Sequence, residues 1–184
     1  MDASRRGFFR GRRQAASIAA PLRPPWALGE AAFITACTRC GACVEKCPNG
    51  IVVAGSGNFP TVDFSRGECS FCGDCVTACG EGALSQKAQQ EAWQLTPVVA
   101  ATCIAQQNVV CRTCGDSCEP RAIRFRPRLG AAAVPEIETT DCTGCGACVA
   151  VCPVQSIHME SLHAIHATDT RHAMQSTQQQ GAVT

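Results

Sequence analysis

The chain has 184 residues, of which 16 are Lys or Arg and 15 are Asp or Glu, so its formal net charge is only +1. Leu, Ile, Val and Phe together make up about 19% of the residues, a level at which apolar burial alone hardly sustains a fold. No apolar stretch is long enough for a membrane span, and the balanced charge argues against a strongly basic nucleic-acid-binding domain. The chain therefore needs another source of stability, and it contains sixteen cysteines.

Residues 1–36 are predicted to form an extended N-terminal arm rich in Arg and Pro. Its first 25 residues hold one acidic residue, Asp2, and six arginines: Arg5, Arg6, Arg10, Arg12, Arg13 and Arg23. The stretch 4–10 resembles a twin-arginine export signal, but the following segment, 15–22, is too short and too weakly apolar to be translocated. We therefore expect a cytoplasmic protein. Because the cysteines dominate the chain, the arm favours a protein partner and not a nucleic acid.

The sixteen cysteines fall into four runs of four, and three of these runs share the spacing C-x2-C-x2-C-x3-C. The regular runs are Cys37, Cys40, Cys43 and Cys47; Cys69, Cys72, Cys75 and Cys79; and Cys142, Cys145, Cys148 and Cys152. The run that is third along the chain opens with seven intervening residues and consists of Cys103, Cys111, Cys114 and Cys118. Neighbouring runs are 21 or 23 residues apart, which indicates internal duplication.

This spacing is typical of the ligand runs of bacterial [4Fe–4S] proteins, in which the fourth cysteine ligates the other cluster of a pair. The sequence therefore predicts four [4Fe–4S] clusters, each held by three cysteines of one run and one cysteine of its partner run. The predicted ligand sets are Cys37, Cys40, Cys43 and Cys79 for cluster 1; Cys69, Cys72, Cys75 and Cys47 for cluster 2; Cys103, Cys111, Cys114 and Cys152 for cluster 3; and Cys142, Cys145, Cys148 and Cys118 for cluster 4. Cys103 is the least regular of these ligands because its loop is longer.

Disulfides and zinc are the two simpler interpretations of so many cysteines. Disulfides are typical of small secreted chains, which this chain does not resemble. Zinc sites generally combine two C-x2-C pairs across a longer gap, whereas here four cysteines lie within eleven residues. Cluster binding also supplies folding free energy, as other metal sites do, so we expect the apoprotein to be largely unfolded.

The runs divide the chain into five parts: the arm 1–36, a first two-cluster module 37–90, a linker 91–102, a second module 103–160 and a polar tail 161–184. The fold class is α+β, with two tandem ferredoxin-like modules built from short strands and short helices around the clusters. Trp93, Leu95, Val98 and Val99 of the linker are expected to pack between the modules.

Each module is predicted to contain one pair of short strands. In the first module the strands are 51–53 and 61–64, and they flank a turn rich in Gly, Asn and Pro. In the second module 123–126 and 134–138 repeat that pair. A short helix is expected after the third cysteine of each run.

Four features of the sequence are similar to one known family. They are the start SRRGFFRGR, the RPPW stretch at Arg23–Trp26, the three regular cysteine runs, and the segment CRTCGDSCEPRAIRFRP at Cys111–Pro127 with its C-x7-C opening. Over nearly its whole length the chain resembles the ferredoxin-type NapF proteins of periplasmic nitrate reductase systems. The resemblance implies a cytoplasmic four-cluster protein that interacts with the catalytic molybdenum subunit before that subunit is exported.

Two functions follow from these expectations. The first is an accessory or maturation factor for the catalytic molybdenum and iron–sulfur subunit of periplasmic nitrate reductase. The second is a general electron-transfer ferredoxin that passes single electrons to other redox proteins. The sequence contains no Ser/His/Asp or paired-carboxylate constellation, so we do not expect the protein to be an enzyme in its own right.

Overall fold

The computed structural model describes residues 21–88 and 91–161. Five short helices occur in this part of the chain: α1 (Glu30–Ala36), α2 (Ala42–Glu45), α3 (Asp74–Thr77), α4 (Thr113–Asp116) and α5 (Ala147–Ala150). Six strands accompany them: β1 (Val52–Ala54), β2 (Pro60–Val62), β3 (Leu95–Val99), β4 (Ile123–Arg128), β5 (Ala131–Ile137) and β6 (Ile157–Ser161). The predicted α+β class with two tandem ferredoxin-like modules is therefore confirmed.

The strands form three separate two-stranded antiparallel sheets. Strands β1 and β2 pair in the first module and β4 and β5 pair in the second, which confirms both predicted hairpins. The third sheet was not predicted, because it pairs β3 with β6 across the whole second module, from Leu95 opposite Ser161 to Val99 opposite Ile157. The segment 91–102 is thus more than a linker, since it supplies a strand to the second module.

The four helices near the cysteine runs contain the third cysteine of their run and do not follow it. Helix α2 begins one residue before Cys43, and α5 begins one residue before Cys148. The residue before α5 is Gly146, whose φ of +82° allows the loop to turn sharply into the helix. The predicted position of these helices was therefore wrong by a few residues, and the fourth cysteine lies beyond the helix end.

The C-terminal half of the N-terminal arm folds onto the first module. The expectation of an extended arm is wrong for residues 30–36, because they form α1 and bury Phe33 completely. Trp26 is also buried, and Ala27 forms a β-bridge with Leu84. Burial of these apolar side chains stabilises a folded conformation here, although the prolines had suggested an extended one. The arginines at positions 5–13 lie outside the described residues.

A small apolar core joins the two modules. Ile51, Val52, Val62 and Phe64 from the first module pack with Leu95 and Met159, and Trp93 lies against this cluster. This confirms the expectation that Trp93 and Leu95 pack between the modules. Within residues 21–88 and 91–161, no helix is long and apolar enough to cross a bilayer.

Candidate metal centres

In the first module the cysteines surround two separate spaces. Site 1 is a space of about 390 Å³ whose lining includes Cys37, Cys40, Cys43 and Cys79. Site 2 is a space of about 340 Å³ whose lining includes Cys47, Cys69, Cys72 and Cys75. Each space thus brings together three cysteines of one run and the fourth cysteine of the other run, which is the interlocked grouping expected from the spacing.

In the second module, site 3 is a space of about 320 Å³ lined in part by Cys103, Cys111, Cys114 and Cys152. Cys103 is buried and belongs to this group in spite of its longer loop. The loop is held against the β4–β5 hairpin by two hydrogen bonds. Arg128 donates to the carbonyl of Ala105 at 2.9 Å, and the N–H of Ala132 donates to the side chain of Asn108 at 2.6 Å.

The remaining four cysteines, Cys118, Cys142, Cys145 and Cys148, define site 4. Burial raises the pKa of the Cys148 thiol to about 12, and the neighbouring thiols of Cys145, Cys142, Cys114 and Cys118 contribute to this rise. The pKa of Cys142 is also raised by burial, with smaller contributions from Cys145 and Cys118. Cys118 of the third run therefore lies close to cysteines of the fourth run.

The chemistry of these side chains suits iron–sulfur clusters. Burial is the main cause that raises the pKa of Cys43, Cys69 and Cys114 to about 11 and that of Cys75 to about 12. Such thiols keep their protons at neutral pH until a metal displaces them, and thiolate is a soft ligand preferred by iron–sulfur clusters. Within residues 21–88 and 91–161 no three metal-ligating side chains are placed to hold one metal ion, so the four cysteines around each space fit a cluster with four metal corners better than a single zinc ion.

Backbone N–H groups donate hydrogen bonds to two of the sulfurs. The N–H of Phe71 donates to Cys69 Sγ at 3.4 Å, and the N–H of Ser156 donates to Cys152 Sγ at 3.3 Å. The Ser156 hydroxyl also lies 3.3 Å from Cys152 Sγ. Burial acts to raise the pKa of Cys152, but these hydrogen bonds outweigh it and the net pKa is lowered. Ser156 was not predicted from the sequence, because a serine four residues after a cysteine is no recognisable signal.

The ligand loops of the two modules meet at sites 2 and 4. The N–H of Cys69 donates to the carbonyl of Cys145 at 2.8 Å. Close by, Gly146 packs directly against the ring of Phe64, so that a Cβ at this glycine would overlap the ring. Sites 2 and 4 therefore adjoin each other across the boundary between the modules.

Within each module the sites are also neighbours. Burial raises the pKa of Cys75 at site 2, and the thiol of Cys43 at site 1 is close enough to add to the rise. Cys114 of site 3 affects Cys148 of site 4 in the same way. The four sites consequently lie in the order 1, 2, 4 and 3.

Comparison with known proteins gives the same picture of the cofactors. A 4Fe-4S dicluster domain model matches residues 36–84, and a second 4Fe-4S dicluster domain model matches residues 109–156. Two dicluster domains with sixteen cysteines account for four [4Fe–4S] clusters, which confirms the predicted cofactors.

Similar curated proteins cover most of the chain. The "Ferredoxin-type protein NapF" of Escherichia coli K12 is 48% identical over 164 residues, which are 89% of this chain and 98% of that protein. The "Ferredoxin-type protein NapF" of Haemophilus influenzae is 39% identical over 77% of this chain and 80% of that protein. The "Methylamine utilization ferredoxin-type protein MauM" of Methylobacillus flagellatus is 37% identical over 72% of this chain and 64% of that protein.

Proposed function

The chain belongs to the family of ferredoxin-type NapF proteins, and on that premise we propose that it is an accessory factor for periplasmic nitrate reductase. It acts in the cytoplasm on the catalytic molybdenum and iron–sulfur subunit, before that subunit is exported, and it has no catalytic activity of its own. The observation that carries this proposal is the 48% identity with a NapF protein over 98% of that protein's length. The similarity thus extends beyond the cysteine runs, which many polyferredoxins share.

We also propose that all sixteen cysteines are cluster ligands in four interlocked sets. Each set consists of the four cysteines already grouped at one site: Cys37, Cys40, Cys43 and Cys79; Cys69, Cys72, Cys75 and Cys47; Cys103, Cys111, Cys114 and Cys152; and Cys142, Cys145, Cys148 and Cys118. The three spaces lined by the first three sets support this assignment. The mutual effects of the thiols at site 4 support the last set.

The N-terminal arm is the proposed docking element for the apo catalytic subunit. Arg5, Arg6, Arg10, Arg12 and Arg13 give it a positive charge, whereas clusters with four thiolates make the loaded modules acidic. Arg23 fixes the arm to the first module through a hydrogen bond to the carbonyl of Pro60 at 3.1 Å. Its guanidinium is held in place by two hydrogen bonds to Glu30 of the same arm, at 2.9 and 2.6 Å. A charged arm that is attached to a folded module accelerates the encounter with an oppositely charged partner and sets its orientation, more than it increases the affinity.

A second function, general electron transfer, is favoured by the order of the four sites. Bound [4Fe–4S] clusters accept and donate single electrons. The contact between Cys69 and Cys145 joins the sites of both modules into one series. The name of the MauM relative refers to methylamine utilization, so a protein of similar sequence takes part in a different process.

The two functions are separated by loading the protein with isotopically labelled iron and mixing it anaerobically with the apo catalytic subunit. A maturation factor that donates clusters transfers labelled iron to the apo subunit. An electron carrier keeps its iron and, in a parallel mixture with the cofactor-loaded subunit, reduces the cofactors of that subunit. Capture of the subunit is measured in parallel as a function of salt. If neither capture nor reduction of the subunit occurs, the proposed partner is wrong.

The docking role of the arm is tested by replacing Arg5, Arg6, Arg10, Arg12 and Arg13 with Gln. Capture should weaken and should lose most of its salt dependence, while the iron content stays the same because the arm contains no cysteine. A matched control neutralises four exposed cations of the folded modules: Lys46, Arg66, Lys87 and Arg121. Unchanged capture by the arm variant, or an equal loss in the control, contradicts the docking role.

A further inference from the structure

Two buried polar atoms beside site 4 have no hydrogen-bond partner among the described residues. They are Nε1 of Trp93 and Oγ1 of Thr96, which are three residues apart. Thr96 is only 3% exposed. A buried donor without a partner is destabilising, so folded proteins rarely leave such atoms unpaired. This pair therefore indicates that an acceptor belongs at this position.

Both atoms approach the same ligand loop. A Cβ built on Gly144, which lies between Cys142 and Cys145, would be 2.9 Å from Trp93 Nε1, so the indole N–H edge lies directly against this loop. The backbone of β3 brings Thr96 to the same loop, because the carbonyl oxygen of Leu95, the residue before Thr96, would also be 2.9 Å from that Cβ.

The two side chains are held rigidly in this orientation. Thr96 lies in β3, where its backbone is paired with Glu160 of β6. The ring of Trp93 packs edge-on against Phe64 at 5.5 Å and against Phe71 at 5.9 Å, both measured between ring centroids. Phe64 and Phe71 belong to the first module and Glu160 to the second, so both residues are anchored at the junction between the modules.

We propose that the Trp93 indole N–H and the Thr96 hydroxyl donate hydrogen bonds to sulfur atoms of the [4Fe–4S] cluster held at site 4, and that they raise its reduction potential. The inference rests on the ligand set assigned above to site 4. Reduction adds negative charge to the sulfurs, so donors stabilise the reduced form more than the oxidised form. Trp93 and Thr96 are thus positioning residues: they affect the reduction potential of the cluster at this site, and they are not among its ligands.

The chain uses a similar arrangement at site 3, where the Ser156 hydroxyl is 3.3 Å from Cys152 Sγ. There the hydroxyl contacts a protein sulfur. At site 4 the hydroxyl and the indole N–H come from β3 and the residue two positions before it, and neither has a partner among the described protein atoms.

The substitutions Trp93→Phe and Thr96→Val test the proposal in the full-length holoprotein. Phe keeps an aromatic ring between Phe64 and Phe71 but lacks the N–H, and Val has the shape of Thr without the hydroxyl. In a redox titration followed by electron paramagnetic resonance, each variant should shift one cluster to a lower potential and leave the other three unchanged. The double variant should shift the same cluster further. The resonance Raman bands of that cluster should also shift less between H₂O and D₂O in the variants than in the unchanged protein.

Two matched controls remove the same groups elsewhere. Thr61→Val deletes a hydroxyl that donates to the carbonyl of Leu22 at 2.8 Å, and Trp26→Phe deletes an indole N–H beside site 2. Neither control should move the potential of the cluster that Thr96→Val affects. Unchanged potentials at full iron content in both test variants overturn the proposal. If Trp93→Phe loses iron while Thr96→Val leaves the potentials unchanged, the residues have only a packing role and the proposal is also wrong.

These outcomes are independent of the proposed partner. Capture of the apo catalytic subunit by the Thr96→Val variant should equal that of the unchanged protein, because Thr96 is buried. A failure of capture in the unchanged protein would therefore count against the proposed function, and a failure of the potential to shift would count against the hydrogen bonds.

Discussion

Replacing Cys47 with Ala should remove the cluster of the second cysteine run and spare the cluster of its own run. Cys47 lies beyond the end of α2 and lines the space of about 340 Å³ shared with Cys69, Cys72 and Cys75. The space of about 390 Å³ at site 1 is completed by Cys79 of the other run. Loss of the Cys47 thiolate therefore leaves site 2 with three protein ligands and site 1 with four.

The magnitude follows from counting irons. Four complete [4Fe–4S] clusters contain about sixteen irons, so Cys47→Ala should retain about twelve when one cluster is lost. Adding Cys72→Ala removes a second ligand from the same site, and the count should stay at about twelve. Adding Cys40→Ala instead damages site 1 as well, and the count should fall to about eight.

The assay is the determination of iron and acid-labile sulfide in anaerobically purified protein, with the visible absorption of the clusters as a check. Cys79→Ala combined with Cys40→Ala is the matched control, because both cysteines line site 1 and should cost one cluster together. The opposite pattern, with about eight irons for Cys47 and Cys72 and about twelve for Cys47 and Cys40, would show that each run holds its own cluster. That result would refute the interlocked ligand sets.

Three further predictions follow. The unchanged protein should contain about sixteen irons and about sixteen acid-labile sulfides, with interacting [4Fe–4S] signals in electron paramagnetic resonance after reduction; stoichiometric zinc contradicts this. Gly146→Ala should lower the temperature at which visible cluster absorption is lost, because φ is +82° and the new Cβ overlaps the Phe64 ring. The control Gly130→Ala, at a φ of +66° with no atom within 4 Å, should reduce the free energy of unfolding by only about 1–2 kcal/mol. Equal effects of the two substitutions would contradict the packing argument. Residues 1–36 fused to a reporter active only after twin-arginine export should give no signal, and robust export would overturn the cytoplasmic location.

The cysteine spacing by itself determined the kind of cofactor and the number of clusters. It did so because three of the four ligands of each cubane lie within one tight loop, and the cysteines three or four positions apart are therefore recognisable in the sequence. The two hairpins were also predictable. Each is a local unit in which short apolar strands such as Val52–Ala54 and Pro60–Val62 flank a turn. The interlocked grouping of cysteines was expected from the same spacing, and the spaces at sites 1, 2 and 3 agree with it.

Only the tertiary structure decided what the segments outside the runs do. Residues 30–36 form a helix because Phe33 finds a buried position on the first module, which proline and arginine content does not reveal. The strand Leu95–Val99 pairs with a segment about sixty residues away, and an apolar run of five residues does not specify its partner.

The junction between the modules was hidden from sequence analysis for the same reason. The hydrogen bond from Cys69 to the carbonyl of Cys145 joins two loops that are 76 positions apart in the chain. The buried donors of Trp93 and Thr96 become visible only when β3 has been placed beside the loop that contains Gly144. Such contacts depend on how distant segments of the chain pack together, whereas the spacing of the ligands in each loop is a property of residues close together in the chain.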